Sequence, residues 1–139
     1  MDFTRRGVLA VGAGVAATLM LPVRGAMAAT EDKIAAFTGG AATGTGGITL
    51  TSPEIAENGN TVPIEVDAPG AVSILVLAAG NPTPDVCTFG FGPLSGAQRA
   101  STRIRLAGTQ DVIAVAKMAD GSFVRAQNTV KVTIGGCGG

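Results

Sequence analysis

The side chain with the clearest chemical potential is Cys137, which stands between two glycine pairs in the C-terminal stretch VTIGGCGG. Flanking glycines favour movement over the narrow geometry that a structural disulfide needs, and no bulky neighbour surrounds the sulfur. If the last strand ends at Ile134, three residues carry the thiol at most ~10 Å beyond the sheet. The pattern predicts a mobile thiol presented to other proteins, with an arm whose flexibility comes from Gly135, Gly136, Gly138 and Gly139.

The chain has a second cysteine, Cys87, and this leaves two other interpretations of the tail open. In an oxidising compartment Cys87 and Cys137 are candidates for a disulfide or for a thiol–disulfide redox pair or sensor. A redox pair normally uses a Cys-x-x-Cys motif at a helix N-terminus, which lowers the pKa of one thiol, and the sequence has no such motif. Glycine-rich ends are also often disordered, so an incidental cysteine is the third interpretation.

Histidine is absent from all 139 residues, as are tryptophan and tyrosine. Without histidine the chain lacks the commonest general base, the commonest transition-metal ligand and the usual activator of a serine or cysteine nucleophile. Two thiols alone make a poor zinc site. An enzyme can manage without histidine, but a classical catalytic triad cannot, and we predict no catalytic residues, no metal and no cofactor. The formal net charge of zero predicts no nucleic-acid partner.

Two groups of charged residues are interpreted as solvated surface. The carboxylates lack the spacing of a calcium loop, and the arginines alternate along one predicted strand, as on an exposed strand face. An anion site formed by the arginines is the alternative. The carboxylates are Glu54, Glu57, Glu65 and Asp67, and the arginines are Arg99, Arg103 and Arg105.

The first 28 residues have the layout of an export signal. Arg5 and Arg6 precede an apolar run over residues 7–23, and Ala26-Met27-Ala28 fits a small-x-small cleavage site. The stretch TRRGVL matches the twin-arginine pattern, which directs folded proteins across the membrane. We predict a periplasmic protein exported by that route and free of the membrane after signal removal. A single transmembrane anchor is the alternative, although the apolar run is shorter than the ~20 residues that a span requires.

The mature chain is predicted to be all-β apart from one short helix. Thr30 is a candidate N-cap, and Gly39-Gly40 ends the helix. Short β-branched runs between turn signals follow, including an Asp120-Gly121 hairpin. These features predict an antiparallel, immunoglobulin-like β-sandwich. The predicted organisation is signal peptide 1–28, helix and glycine-rich loop 29–47, sandwich 48–134 and swinging arm 135–139.

Two predicted strands, AVSILVLAAG and DVIAVAKMA, carry more apolar surface than one face of a small sheet hides. A mature domain of this size also has a modest core. We therefore expect the domain to pair stably with another subunit, through an interface above ~1,000 Å².

Several segments together resemble the SoxY family, the sulfur-carrier subunits of the periplasmic thiosulfate-oxidising (Sox) system. They are PEIAENGNTVPIEV, NPTPDVCTF, STRIRLA, AVAKMADGSF and the terminal KVTIGGCGG, of which GGCGG is the most specific. The resemblance covers nearly the whole mature chain and agrees with the twin-arginine signal. Cys87 and the short Pro69-Gly70 turn depart from the family pattern.

The resemblance implies that the chain is a carrier and not itself an enzyme, and that Cys137 carries sulfur intermediates as covalent adducts between enzymes. A c-type cytochrome complex would join thiosulfate to the thiol oxidatively, and a hydrolase would then release sulfate. A sulfane dehydrogenase, where present, would oxidise the remaining sulfur. The resemblance further implies a heterodimer with a SoxZ-like β-sandwich subunit.

Overall fold

A computed structural model describes residues 22–136, with side chains from residue 27 onward. A single helix, α1 (Pro22–Thr38), precedes eight strands in this part of the chain. The strands are β1 (Thr49–Thr51), β2 (Ile55–Asn58), β3 (Val62–Asp67), β4 (Ala71–Ala78), β5 (Asp85–Gly90), β6 (Arg99–Ile104), β7 (Gln110–Met118) and β8 (Phe123–Ile134). The predicted signal motif at Arg5 and Arg6, and the residues from Cys137 onward, lie outside the described range.

The strands form two sheets, one of three strands in the order β1-β3-β6 and one of five strands in the order β2-β8-β7-β4-β5. The all-β sandwich that the sequence predicts is thereby confirmed. Asp120 and Gly121 form the predicted turn between β7 and β8, where the positive φ of Gly121 (86°) suits glycine.

One strand pairing differs from the predicted antiparallel pattern. β2 runs parallel to the C-terminal part of β8, with Ile55 opposite Lys131 and Asn58 opposite Ile134. Parallel strands need a long connection, which the chain supplies because β2 and β8 are far apart in sequence. The pairing covers the outer edge of β8 up to its last residue, so it determines where the tail leaves the sheet.

The core lies between the sheets and follows the alternation of side chains along each strand. In β3, Val62, Ile64 and Val66 face inward, as the sequence predicts. The continuous apolar run of β4 is buried on both faces, since Ile74 and Val76 face the other sheet while Leu75 and Leu77 lie on the outer side.

Helix α1 covers that outer side. Ile34 packs with Leu75, Leu77, Ile113 and Val115 in a second apolar cluster, and Phe37 joins its margin. The apolar surplus of β4 and β7 is therefore covered within the chain, so it does not by itself indicate a partner subunit. Ion pairs at 3.6 Å and 3.3 Å, Lys33 with Asp85 and Arg125 with Glu31, also link α1 to the sandwich.

The start of α1 corrects the prediction that the helix begins after Thr30. The helix starts at Pro22, and Thr30 lies buried in its interior with 3% of its surface exposed. Alanine-rich sequence upstream of Thr30 propagates a helix well, and proline suits the first helical position because its missing N–H would be unpaired there. The helix ends before Gly39 and Gly40, as predicted, and both have positive φ. No helix in residues 22–136 is both long and apolar enough to cross a bilayer.

Candidate functional site

The C-terminal tail leaves the sandwich at the end of β8. At this point the Gly59 N–H donates a hydrogen bond of 2.7 Å to the carbonyl oxygen of Ile134. Gly59 directly follows β2, the strand that runs parallel to β8. The turn after β2 therefore continues the hydrogen bonding of the sheet past the last residue of β8.

The next two residues, Gly135 and Gly136, lie against a backbone surface that we call the arm socket, formed by Gly59, Arg105, Leu106 and Ala107. The Gly136 N–H donates to the Leu106 carbonyl at 2.8 Å, and the Leu106 N–H donates to the Gly59 carbonyl at 2.7 Å. Gly136 and Gly59 are both buried. The base of the predicted arm is thus hydrogen-bonded and packed in this structure.

The close approach in the arm socket requires glycine at three positions. A Cβ on Gly135 would overlap the Ala107 carbonyl oxygen, and a Cβ on Gly59 would overlap that of Leu106. A Cβ on Gly136 would lie 2.7 Å from Cγ of Arg105 and 2.9 Å from the Gly59 carbonyl oxygen. Gly135 and Gly136 therefore have a packing role, and the flexibility predicted for them stays a prediction.

A pair of buried amide side chains holds the far side of the arm socket. Asn81 donates from Nδ2 to the Arg105 carbonyl at 2.8 Å, and its Oδ1 accepts from the Ala107 N–H at 3.0 Å. Gln110 donates from Nε2 to the same Oδ1 at 2.8 Å and to the Gly108 carbonyl at 3.0 Å, while its Oε1 accepts from the Gly80 N–H. Asn81 therefore fixes the backbone on both sides of Leu106, which bonds Gly136.

Sequence reasoning missed Asn81, Gln110 and Gly59. Asn81 stands in the stretch GNPTP and Gly59 in ENGN, and both stretches are typical of exposed turns. Only the fold brings these segments to residues 105–107 and to the tail. The one local signal is the polar Gln110 at the start of the mostly apolar strand β7.

The predicted attachment residue, Cys137, lies outside the described residues, as do Gly138 and Gly139. Cys137 directly follows Gly136, whose amide is bonded in the arm socket.

Cys87 is a half-buried residue of β5 that packs at the margin of the core. Burial raises the pKa of its thiol above the ordinary value, because desolvation disfavours the thiolate. This environment suits an inert, small apolar side chain and lowers its reactivity as a nucleophile.

The strand register places Cys87 far from the tail. Cys87 is opposite Val76, which is opposite Ala114, which in turn is opposite Ala126 of β8. Three strand spacings of ~4.8 Å separate β5 from β8, and the stretch from Ala126 to Ile134 adds about 26 Å along the strand. Three residues of tail span at most ~10 Å, and a disulfide needs Cα atoms within ~7 Å. The geometry argues against a Cys87–Cys137 disulfide within one chain.

The charged residues behave mainly as surface. Arg99 is paired with Asp67 at 3.1 Å and with Glu65 at 3.6 Å. Arg103 and Arg105 are exposed at alternate positions at the end of β6, and Arg105 forms part of the arm socket. Among residues 22–136 no three His, Cys, Asp or Glu side chains are grouped closely enough to hold a metal ion.

Comparison with known proteins decides the family. The family described as "Sulfur oxidation protein SoxY" matches residues 34–137. The chain belongs to the SoxY family. The structure of the sulfur carrier protein SoxY from Chlorobium limicola f thiosulfatophilum is 35% identical, with a TM-score of 0.67, and the match covers 77% of this chain and 98% of that one. A search of curated proteins finds no significant match.

Other solved structures share the SoxY-family fold at low identity. Superoxide reductase (neelaredoxin) from Ignicoccus hospitalis has a TM-score of 0.55 at 15% identity, over 63% of this chain and 81% of that one. A putative superoxide reductase from Thermotoga maritima has a TM-score of 0.52 at 16% identity, over 61% of this chain and 84% of that one. At this identity the likeness shows the sandwich architecture alone, because one fold hosts many functions.

Proposed function

We propose that this chain is a covalent carrier of sulfur intermediates in thiosulfate oxidation and that the Cys137 thiol is the attachment point. The observation that carries the proposal is the SoxY family match, which extends to residue 137 and so includes this cysteine. The 35% identical relative is itself described as a sulfur carrier protein.

The proposed reaction begins with the Cys137 thiolate and thiosulfate. A sulfur–sulfur bond forms between the thiolate and the terminal sulfur of thiosulfate, and two electrons pass to a c-type cytochrome complex. Water then attacks the sulfonate sulfur of the adduct in a partner hydrolase, which releases sulfate and two protons and leaves a persulfide anion on Cys137. Where a sulfane dehydrogenase is present, it oxidises the outer sulfur of that persulfide to a sulfonate with oxygen from three waters, releases six protons and passes six electrons to a cytochrome-type electron acceptor. The carrier supplies the thiol and its presentation, and the partners supply the catalysis.

The placement of the tail supports this role. β8 delivers the chain to a rim of the sandwich, and the arm socket holds Gly136 one residue before the cysteine. A thiol on such a short, narrow extension can enter a recessed active site on another protein, because the residues around it add no bulk. Cys87 has the opposite surroundings, since it is half-buried within a strand.

The proposal includes a location and a partner. Arg5-Arg6 and the Ala26-Met27-Ala28 site support export to the periplasm by the twin-arginine route. The heterodimer with a SoxZ-like sandwich subunit rests on the family membership, since α1 covers the apolar surface of β4 and β7 within the chain. Analytical ultracentrifugation of the two chains together tests the heterodimer, and a chain that stays monomeric beside that partner contradicts it.

Intact-mass measurement of the protein from thiosulfate-grown cells tests the carrier role. We expect adducts of sulfane sulfur or thiosulfate on the wild type and on a Cys87→Ala control, and none on Cys137→Ser. Pathway activity should be lost in Cys137→Ser and kept in Cys87→Ala. The reverse pattern would overturn the proposal, and a mass loss of two hydrogens with activity lost in both variants would indicate a redox pair.

A further inference from the structure

The base of the arm, Gly135 and Gly136, is hydrogen-bonded to the sandwich through the Gly136 N–H. Three consecutive hydrogen bonds continue past the end of β8, from Gly59 to Ile134, from Leu106 to Gly59 and from Gly136 to Leu106, at 2.7, 2.7 and 2.8 Å. They connect the tail to the turn after β2 and to the segment after β6. A tail that moved freely from Gly135 would break the last of these bonds.

The packing around the base is as close as its hydrogen bonding. No Cβ fits on Gly59, Gly135 or Gly136 without moving backbone atoms of the neighbouring segment. Four other glycines would have nothing within 4 Å of an added Cβ and have no positive φ, namely Gly90, Gly92, Gly96 and Gly108. A linker that serves only flexibility needs no such close contact, so the glycines of the base are suited to docking.

The surface that receives the base is itself hydrogen-bonded to two buried amide side chains. Asn81 is 4% exposed and Gln110 is 8% exposed, and their amide groups bond the backbone of residues 105, 107 and 108. In the described part of the chain no buried side-chain nitrogen or oxygen lacks a hydrogen-bond partner. A fully bonded buried network of this kind specifies one conformation for the segment that it holds.

We infer that the arm socket is a positioning site that fixes the base of the carrier arm, so that the arm pivots after Gly136. The inference deepens the proposed function. It rests on that function only in assigning the arm the task of presenting a carrier thiol, and the position of the pivot does not depend on it. Gly59 and Asn81 are positioning residues, since they act on Cys137 through Gly136 and through the backbone around Leu106.

The position of the pivot changes how partner enzymes meet the thiol. A pivot at Ile134 would let the Cys137 Cα sweep a radius of ~10 Å, whereas a pivot at Gly136 confines it to ~3.8 Å. The smaller volume raises the effective concentration of the thiol at one place on the rim. A partner enzyme then has to bring the mouth of its active site close to Arg105 and Gly59.

Amide exchange on the isotopically labelled full chain tests the pivot without any substitution. We expect the Gly136 N–H to exchange at least ~10-fold more slowly than in an unstructured peptide, as for a bonded amide. NMR backbone relaxation should give Gly136 an order parameter similar to that of Ile134, with motion increasing only at later residues. Exchange of Gly136 at the unstructured rate, with motion increasing from Gly135, would overturn the inference.

A spin label on Cys137 tests the part played by Gly59. In a Cys87→Ala chain, Gly59→Ala adds a methyl group inside the arm socket, whereas Gly108→Ala adds one in open space on the neighbouring loop. We expect narrower, more mobile spectral lines in Gly59→Ala and unchanged lines in Gly108→Ala, at equal circular dichroism. Identical spectra in both variants would contradict the positioning role.

The two tests also separate this inference from the proposed function. If Gly59→Ala fails to fold, the exchange measurement on the unsubstituted chain still decides where the pivot lies. If no sulfur adduct is ever found on Cys137, the pivot can still be measured at Gly136. If adducts form but the arm moves freely from Gly135, the carrier role stands and the arm socket is incidental.

Discussion

The interior of the sandwich and the arm socket are built on opposite principles. The interior is formed by side chains, and Ile74, Val76 and Val112 are fully buried between the two sheets. The arm socket is formed largely by backbone, because Gly59, Gly135 and Gly136 approach carbonyl and amide groups where no Cβ fits. The interior is stabilised by the side chains that fill it, whereas the arm socket forms only because three glycines have no Cβ atom.

This difference predicts opposite responses to mutation. Removing atoms from the interior leaves cavities and lowers the stability of the whole domain. Adding atoms in the arm socket displaces a short terminal segment and disturbs the presentation of the thiol. The two regions meet at Asn81 and Gln110, which are buried and whose amide groups bond the surface on which the tail rests.

The largest effect on stability should come from the interior. Ile74→Ala removes a fully buried side chain from the core cluster, and we expect the free energy of unfolding to fall by about 2–5 kcal/mol in urea titrations. Ile74→Val is the matched control and should cost about 0.5–1.5 kcal/mol. Equal losses in the two variants would mean that packed volume does not dominate this region.

A smaller loss is expected where the two regions meet. Asn81→Ala removes the side chain that bonds the Arg105 carbonyl and the Ala107 N–H. A buried polar group left without a partner costs about 1–3 kcal/mol. We expect a loss in that range, together with faster amide exchange at Ala107 and Gly136. Asn60→Ala, at an exposed asparagine, is the control and should change stability by less than about 0.5 kcal/mol. An unchanged exchange rate of the Gly136 N–H in Asn81→Ala would show that the Asn81–Gln110 amide pair does not hold the tail in place.

The sequence predicts the interior better than the arm socket, for a physical reason. Alternation in β3 and the continuous run of β4 are local consequences of burial on one face or two, so they can be detected within a single segment. The parallel pairing of β2 with β8 has no local signature, because both strands follow patterns that either orientation permits. The early start of α1 also escaped prediction, since Thr30 is a good N-cap only if the chain before it is not helical.

The candidate site could be predicted only in part. The cysteine at position 137, with glycines on both sides, predicts a thiol that is presented to other proteins. The family membership agrees with a carrier role. The packing of Gly136 against Gly59 and Leu106 depends on three segments that are distant in sequence. Glycine at such a contact is indistinguishable in sequence from glycine in a flexible linker, because both lack a side chain.

Cys87 provides the next comparison, between a cysteine of the interior and the cysteine of the arm. Cys87→Ala removes one half-buried sulfur from the margin of the core, and we expect a loss of about 1 kcal/mol in the free energy of unfolding. Cys137→Ser should leave the free energy of unfolding unchanged within about 0.5 kcal/mol. Thermal or urea unfolding of both variants under reducing conditions measures the difference. A larger loss in Cys137→Ser would place the arm cysteine in the core.

The smallest effect concerns the pH dependence of stability at Cys87. Burial raises the pKa of this thiol in the folded chain above its value in the unfolded chain. Below the ordinary thiol pKa of ~8.5 both states are protonated, so the stability contribution is fully present there. As pH rises towards the folded pKa, the unfolded state releases the proton first, and the contribution is progressively lost.

The measurement compares the Cys137→Ser chain with the same chain carrying Cys87→Ala as well, both kept reduced. The difference between their free energies of unfolding should shrink between about pH 8.5 and pH 10. The two chains share every lysine and arginine and contain no tyrosine, so other titrations largely cancel in the difference. A difference that stays constant from pH 7 to pH 10 would mean that the Cys87 thiol has the same pKa in both states.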